Sequence, residues 1–325
     1  MHSGRNYSLK EVIIWTRRET LVFLLLAVAP TLAYQLAGWR WLTLPWLPIA
    51  LIGTGVAFIT GFKNSASYGR LWEARQLWGG ILNLSRSWGL YALDLPEGVR
   101  ARVVHRHIAW LTALRYQLRE HRTWENMRRK HNAEYKRHYH VDEWSGQLEH
   151  ELERLLGPVE AKETMAKKSR ALYLLTLQAG EMRALAASGA ITEFRHYEVE
   201  RLLSDIVQAQ GGCERIKNFP YPRQFATLNL FFVWLFIALT PYGLLHEFKA
   251  MGEGFVWVTI PASVIVSWVF HTMDKIGEIS ENPFEGNPND VPITALSRTA
   301  EIDLREMLGE SNVPPPLQPV NNILM

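Results

Sequence analysis

LPWLPIALIGTGVAFITGFKNSASYGRLWEARQLWGG, residues 44–80, is the stretch whose reading decides the fold. From Trp41 to Phe62 there is no charged residue, and after Lys63 the sequence turns polar and basic without a proline to end a helix. An uncharged run of about 20 residues, rising about 1.5 Å per residue, spans a bilayer core of roughly 30 Å. The stretch therefore reads as one continuous helix that leaves the membrane, with Lys63 at the water boundary.

Upstream, Arg5, Lys10, Arg17 and Arg18 precede another uncharged run, Thr20 to Trp39, which contains Pro30. A cleaved signal peptide shares this polarity, but its apolar stretch is shorter and ends in a small-residue cleavage site, so a first spanning helix fits better. Arg40 is the only charge before the second span, which makes the connection a tight hairpin. Downstream, from Gly80 to Pro222, Arg, Lys, Glu and His are frequent, and Ile108, Leu111, Leu114 and Leu118 recur at helical spacing. Long amphipathic helices are expected, broken at Asp94-Leu95-Pro96, Gly157-Pro158, Ser188-Gly189 and Phe219-Pro220-Tyr221-Pro222. Uncharged runs return at Gln224 to His246 and at Gly254 to Met273, the latter with His271 near its end.

The predicted fold is an all-α membrane protein whose four transmembrane helices are continuous with a long-helix cytoplasmic domain. Its expected parts are a cytoplasmic segment 1–19, helices 1 and 2 with an extension over 20–80, and a cytoplasmic helical domain over 81–222. Helices 3 and 4 over 223–273, a cytoplasmic region 274–310 and a flexible proline-rich tail 311–325 complete it. Lys and Arg crowd residues 5–18, 63–75 and 215–223 and recur at Lys275, whereas the far-side connections hold Arg40 and Lys249, so both termini are placed in the cytoplasm of a multi-pass cell-membrane protein. The lipid bilayer is the first expected partner. A net charge of +3 over 325 residues is too weak to argue for nucleic acid. The one cysteine, Cys213, excludes an internal disulfide framework and a Cys-rich metal site. Thirteen tryptophans suit either interfacial surface or an ordinary core.

Thr54, Phe58 and Phe62 recur at i, i+4 and i+8, so they share a helix face about 6 Å apart along the axis. Aromatic rings facing a shared axis form a hydrophobic constriction, and Gly53, Gly55 and Gly61 beside them permit close helix approach. Spacing alone favours the plainer reading, rings packed against lipid or other spans.

The run Gly61-Phe62-Lys63-Asn64-Ser65-Ala66-Ser67-Tyr68-Gly69-Arg70-Leu71-Trp72-Glu73-Ala74-Arg75, followed by Leu77-Trp78-Gly79, resembles the signature of the bestrophin family in its bacterial form. Cys213-Glu214-Arg215-Ile216 with Pro220-Tyr221-Pro222, and Ile279-Ser280-Glu281-Asn282-Pro283-Phe284, extend the resemblance, which runs from about Arg17 to Leu308. It implies a homopentameric ion channel with its pore on the fivefold axis, lined by the second span, with Thr54, Phe58 and Phe62 at the three neck positions. The family has bulky apolar residues at all three, and Thr54 departs from that. Asn64, Arg70, Trp72, Glu73, Arg75, Asn282, Pro283 and Phe284 are the motif residues. A second, cytoplasmic constriction is implied at Tyr197, with Val199 as the alternative. The implied permeant ion is chloride or another monovalent anion; a sodium- or potassium-selective channel is the alternative, since apolar rings declare no sign.

Some animal members clasp calcium with acidic residues just after Asn-Pro-Phe. Here that stretch reads Glu285-Gly286-Asn287-Pro288-Asn289-Asp290, and two carboxylates fall short of the six to eight oxygens calcium takes. Asn282, Pro283 and Phe284 are instead expected to fold a structural turn. His131, Glu134 and His138, with His140 and Asp142 behind, have zinc-compatible spacing but no recognised ligand motif, so neither metal nor cofactor is expected. Arg70, Glu73 and Arg75 read as juxtamembrane charges, and Arg115, Arg119, Arg122, Arg128 and Arg129 as a solvated face. His150-Glu151-Leu152-Glu153-Arg154 lacks the second histidine of a metalloprotease helix. Without nucleophile elbow, phosphate loop or dinucleotide fingerprint, no enzyme is expected. A secondary transporter, which favours ionisable residues inside its spans, and a membrane-anchored scaffold are the rival readings.

Overall fold

A computed structural model describes residues 1–126 and 138–325. Among these the chain is helical, with two isolated bridges and no strand. Ten α-helices follow in order: α1 Leu9–Gln35, α2 Trp46–Leu93, α3 Glu97–Arg119, α4 Leu148–Leu156, α5 Pro158–Met165, α6 Arg170–Ala187, α7 Glu193–Asn218, α8 Arg223–Ala250, α9 Thr259–Ser280 and α10 Ile293–Met307. The four expected breaks each separate helices for a local reason. Gly157 at φ 78° and Pro158 at the first position of α5 illustrate it, since glycine tolerates the left-handed region and proline is pre-set for a helix start.

Two units divide the chain. The first comprises Gly4–Arg70 and Pro220–Glu281. Ser8 opens α1 with a capping box, accepting from the Glu11 backbone while Glu11 accepts from the Ser8 backbone. Phe23, Ile49, Val56, Val233, Phe236 and Ile237 form its core. Two glycines make room for aromatic rings: a Cβ on Gly53 would lie 2.6 Å from the Phe236 ring, and one on Gly243 would lie 2.7 Å from both Trp46 and Ile49. Gly243→Ala is therefore expected to lower the melting temperature in detergent, at an overpacking cost of about 1–3 kcal/mol. Gly180→Ala in α6, with nothing within 4 Å of the added methyl, is the control that does not lower it.

Among the described residues three helical stretches, Arg40–Leu93, Arg223–Ala250 and Glu253–Ser280, are long and apolar enough to cross a membrane. The remaining expected span, α1, stops at Gln35, and Gly38 at φ 71° then turns the chain. Its charge-free helical part, Thr20 to Gln35, is about 24 Å long, short of a roughly 30 Å core. α2 runs through Lys63 without a break, as one helix of 48 residues.

The second unit comprises Met1–Ser3, Leu71–Phe219 and Asn282–Met325. Its core includes Trp78, Trp88, Trp110, Ile108, Leu111, Leu114 and Leu118. These tryptophans are core residues, whereas Trp39, Trp41 and Trp257 of the first unit are exposed. His107 stacks on Trp88 and meets Trp110 at a tilt, and burial pushes it down to about 3, so it stays neutral beside Ser85.

The reading of the arginines as one solvated face is corrected here. Arg115 and Arg119 are buried. Arg115 pairs with Glu143 at 2.5 Å and with Glu151, and Arg119 pairs with Asp290 at 2.6 Å. Burial opposes the charge of Glu143, but Arg115 and Arg119 outweigh it and hold its carboxyl below the usual range. Helical spacing does not separate a solvated arginine from one matched to acids elsewhere in sequence. Arg128 and Arg129 lie outside the described residues. The tail expected to be flexible ends packed: Ile323 and Met325 bury themselves with Tyr139 and Val141, and the Met325 carbonyl accepts the Ala295 N–H at 2.7 Å.

Candidate pore-lining helix face

α2 sorts its residues into two faces. Ile49, Gly53, Val56, Thr60, Lys63 and Ser67 point into the first unit and are buried, while Thr54, Gly55, Phe58, Gly61, Phe62, Ser65 and Ala66 are exposed along the other side. The three expected neck residues therefore share one outward face. Phe58 and Phe62 are 68% and 61% exposed, and their rings meet edge to face at 4.6 Å. The Thr54 hydroxyl donates to the Ala50 carbonyl at 3.0 Å, which turns its polar group back onto the helix. α8 also exposes rings and aliphatic side chains, Phe225, Leu228, Phe231, Phe232 and Leu235, with Thr227 and Ala238 exposed among them.

Lys63, expected at the water boundary, is buried instead. Its Nζ donates to Asp274 Oδ1 of α9 at 2.5 Å, and Asn229 Nδ2 of α8 donates to the same oxygen at 2.7 Å. Thr60 Oγ1 donates to Asn229 Oδ1 at 3.0 Å, and all four side chains are buried. This network ties the inner face of α2 to both other apolar helices. The sequence carried one signal for it, a lone cation and a lone acid each just past the end of a charge-free run, but nothing to pair them.

The motif residues hold α2 in the same way. Asn64 Nδ2 donates to the Met273 carbonyl at 3.0 Å, and a Cβ on Gly277 would collide with the Asn64 amide oxygen, so glycine is needed there. Arg70 Nε donates to the Glu281 carbonyl at 2.9 Å, and the Glu281 carboxylate pairs with Arg223. In the second unit Glu73 pairs with Arg215 of α7, while Trp72 and Arg75 are exposed.

Asn282, Pro283 and Phe284 are buried in the second unit, and Phe284 sits at φ 73° with its ring 6.1 Å from Trp78. Asp290 holds this strained turn. Its carboxylate accepts the N–H groups of Phe284, Gly286 and Val291 at 2.6–2.8 Å and the Arg119 guanidinium. Those four donors use the lone pairs a calcium ion would need. Burial, and then the Glu125 carboxylate, push Glu285 up to about 8, so it is protonated at pH 7. A raised folded-state value stabilises the fold fully below the ordinary 4.5 and loses that contribution as pH climbs through 8. Glu285→Gln keeps an oxygen to accept the Asn126 N–H, so the variant should melt alongside the parent at pH 5 and above it at pH 8. Equal melting at both pH values would refute the assignment.

Tyr197 is 70% exposed on α7, whereas Val199 is 2% exposed in the core of the second unit. His131 and Glu134 of the zinc-compatible spacing lie outside the described residues; His140 pairs with Asp142 at 3.6 Å. Burial pushes the Cys213 thiol up to about 12, which makes it unreactive.

Comparison with known proteins bears on the whole chain. Residues 9–306 match the family described as Bacterial/Fungal Bestrophin protein. The voltage-dependent anion channel-forming protein RSc3414 of Ralstonia nicotianae is 30% identical over 267 residues, 82% of this chain and 78% of that protein. The voltage-dependent anion channel-forming protein YneE of Escherichia coli K12 is 29% identical, covering 84% and 80%. The crystal structure of a bacterial bestrophin homolog from Klebsiella pneumoniae superposes with a TM-score of 0.77 at 26% identity, covering 90% of this chain and 98% of that one. An uninterrupted α2 carrying the signature run, the Asn-Pro-Phe turn and these likenesses lead to one conclusion: the chain belongs to the bestrophin family.

Proposed function

We propose that the protein is an anion channel of the bacterial membrane, built from five copies with the outward face of α2 on the fivefold axis. Membership of the family makes it a channel and not an enzyme. The observation that carries the pore assignment is the make-up of that face, where Thr54, Phe58 and Phe62 alternate with Gly55, Gly61, Ser65 and Ala66. Small residues beside rings suit helices that crowd one axis. The rings then form an apolar neck at which ions shed part of their hydration. Thr54 makes the outermost ring the least apolar, and Tyr197 supplies the cytoplasmic constriction. Chloride or another monovalent anion is the permeant species, a reading supported by the anion channel-forming relatives.

The test is the reversal potential of purified protein in planar bilayers under a KCl gradient. Reversal near the chloride equilibrium potential is expected, and reversal near that of potassium would replace the anion reading with a cation one. Absence of current from a folded, assembled protein would remove the channel reading. Thr54→Val, close in volume but without the hydroxyl, is expected to lower the current by making the first ring drier.

A further inference from the structure

At one end of the first unit the charges are sorted by depth. α1 and α8 begin at this end, α9 finishes there and α2 passes through it, as the pairs Lys63–Asp274, Arg223–Glu281 and Lys275–Glu19 attest. Five acids stand against eight cations in these stretches of the unit. Asp274, Glu278 and Glu281 are buried, Glu19 is engaged by Lys275 at 3.1 Å, and Glu11 accepts the N–H and hydroxyl of Ser8 at the helix cap. Arg5, Lys10, Arg17 and Arg18 are all exposed. The acids are turned inward, where Lys63, Arg223 and Lys275 match three of them, and the outer surface at the start of α1 is cationic.

The inner face of this part of α1 is fastened to α9. Trp268 Nε1 donates to Thr16 Oγ1 at 3.1 Å, and Lys275 Nζ donates to the Trp15 carbonyl at 3.0 Å while standing 4.6 Å over its ring. The opposite face is thereby fixed outward. It exposes Leu9, Ile13, Ile14, Leu21 and Leu25 at helical spacing, with Lys10, Arg17 and Arg18 between them. The charge-free part of α1 is short of a roughly 30 Å core by about 6 Å, or one further turn, and that turn carries Arg17 and Arg18. Apolar side chains continue on both sides of the two arginines, so a bilayer covers the turn and sets the guanidiniums at the depth of the lipid phosphates. Long cationic side chains near a helix end reach toward that layer, and its anions are what meet them.

We propose that the outward face at the start of α1 seats an anionic phospholipid. Arg17 and Arg18 hold its phosphate through charge-assisted, paired N–H bonds, Lys10 faces the charged headgroup, and Leu21 and Leu25 lie along an acyl chain. A zwitterionic lipid offers the same phosphate beside an ammonium that cancels its charge, so the selection is by net charge. The site does not depend on which ion the protein conducts or on the pore assignment.

Native mass spectrometry of the detergent-purified protein, titrated separately with phosphatidylglycerol and with phosphatidylcholine of the same acyl chains, tests the proposal. Phosphatidylglycerol should bind about fivefold or more tightly, the double variant Arg17→Gln, Arg18→Gln should lose that preference, and Lys10→Gln should lower it about twofold. The three side chains are exposed, so the variants fold, and Lys10→Gln carries the test by itself if the double variant does not. Lys249→Gln, which removes an exposed cation at the other end of α8, should keep the preference. Soluble glycerol phosphate at millimolar concentration should leave the lipid in place, because it lacks the chains that Leu21 and Leu25 meet. Equal binding of the two lipids, which is the result expected if these cations serve only to orient the chain in the membrane, would overturn the proposal. So would a preference that the folded variants of Arg17, Arg18 and Lys10 all retain, or full displacement by glycerol phosphate, which would mark a site for free phosphate.

Discussion

Asp274→Ala is expected to cost about 3–5 kcal/mol of stability, the usual price of leaving one partner of a buried ion pair uncompensated. The Lys63 ammonium would be left buried without its counter-charge, with Asn229 losing its acceptor as well. The double variant Lys63→Met, Asp274→Asn removes both charges while nearly keeping the volume and leaves an amide oxygen to accept from Asn229, and it should recover at least half of the loss, because neither charge is then left buried without its partner. Denaturation in detergent followed by tryptophan fluorescence measures both. If Asp274→Ala unfolds with the parent, the pair contributes no stability, and its part in fixing α2 falls with it. The pair bears on the proposed pore, because the inner face of α2 that it anchors is opposite the face carrying Phe58.

Phe58→Ala should leave folding nearly untouched and raise the single-channel current. The side chain is exposed, and surface substitutions away from special features stay within about 0.5 kcal/mol. In the proposed neck its ring stands edge-on to Phe62, and five such rings keep the passage narrow and dry. Removing a barrier of about 1.4 kcal/mol would raise the current about tenfold. Conductance recorded in the same bilayers as the reversal potential gives the answer. An assembled variant with the parent's conductance would mean that Phe58 is not at the neck.

Much of the fold is legible in the sequence. The charge-free runs gave the apolar helices, because crossing a bilayer needs length and composition, and both are local properties. The proline and glycine breaks gave the helix ends for the same reason. α1 was legible only in part, since the run extends to Trp39 but the helix ends at Gln35. The site was readable as a stripe, Thr54, Phe58 and Phe62, and not as a surface.

What the sequence by itself determined is that residues 46–80 lie in one helix with three neck candidates on a single face. A period of about 3.6 residues leaves no other arrangement. What only the tertiary structure decided is which face turns inward. Lys63 became a buried partner of Asp274 and not a boundary marker, and Arg115 and Arg119 became core ion pairs and not a solvated face. A charge is buried only where its counter-charge arrives, and in each case that counter-charge comes from another element of the chain, so no local pattern records the match.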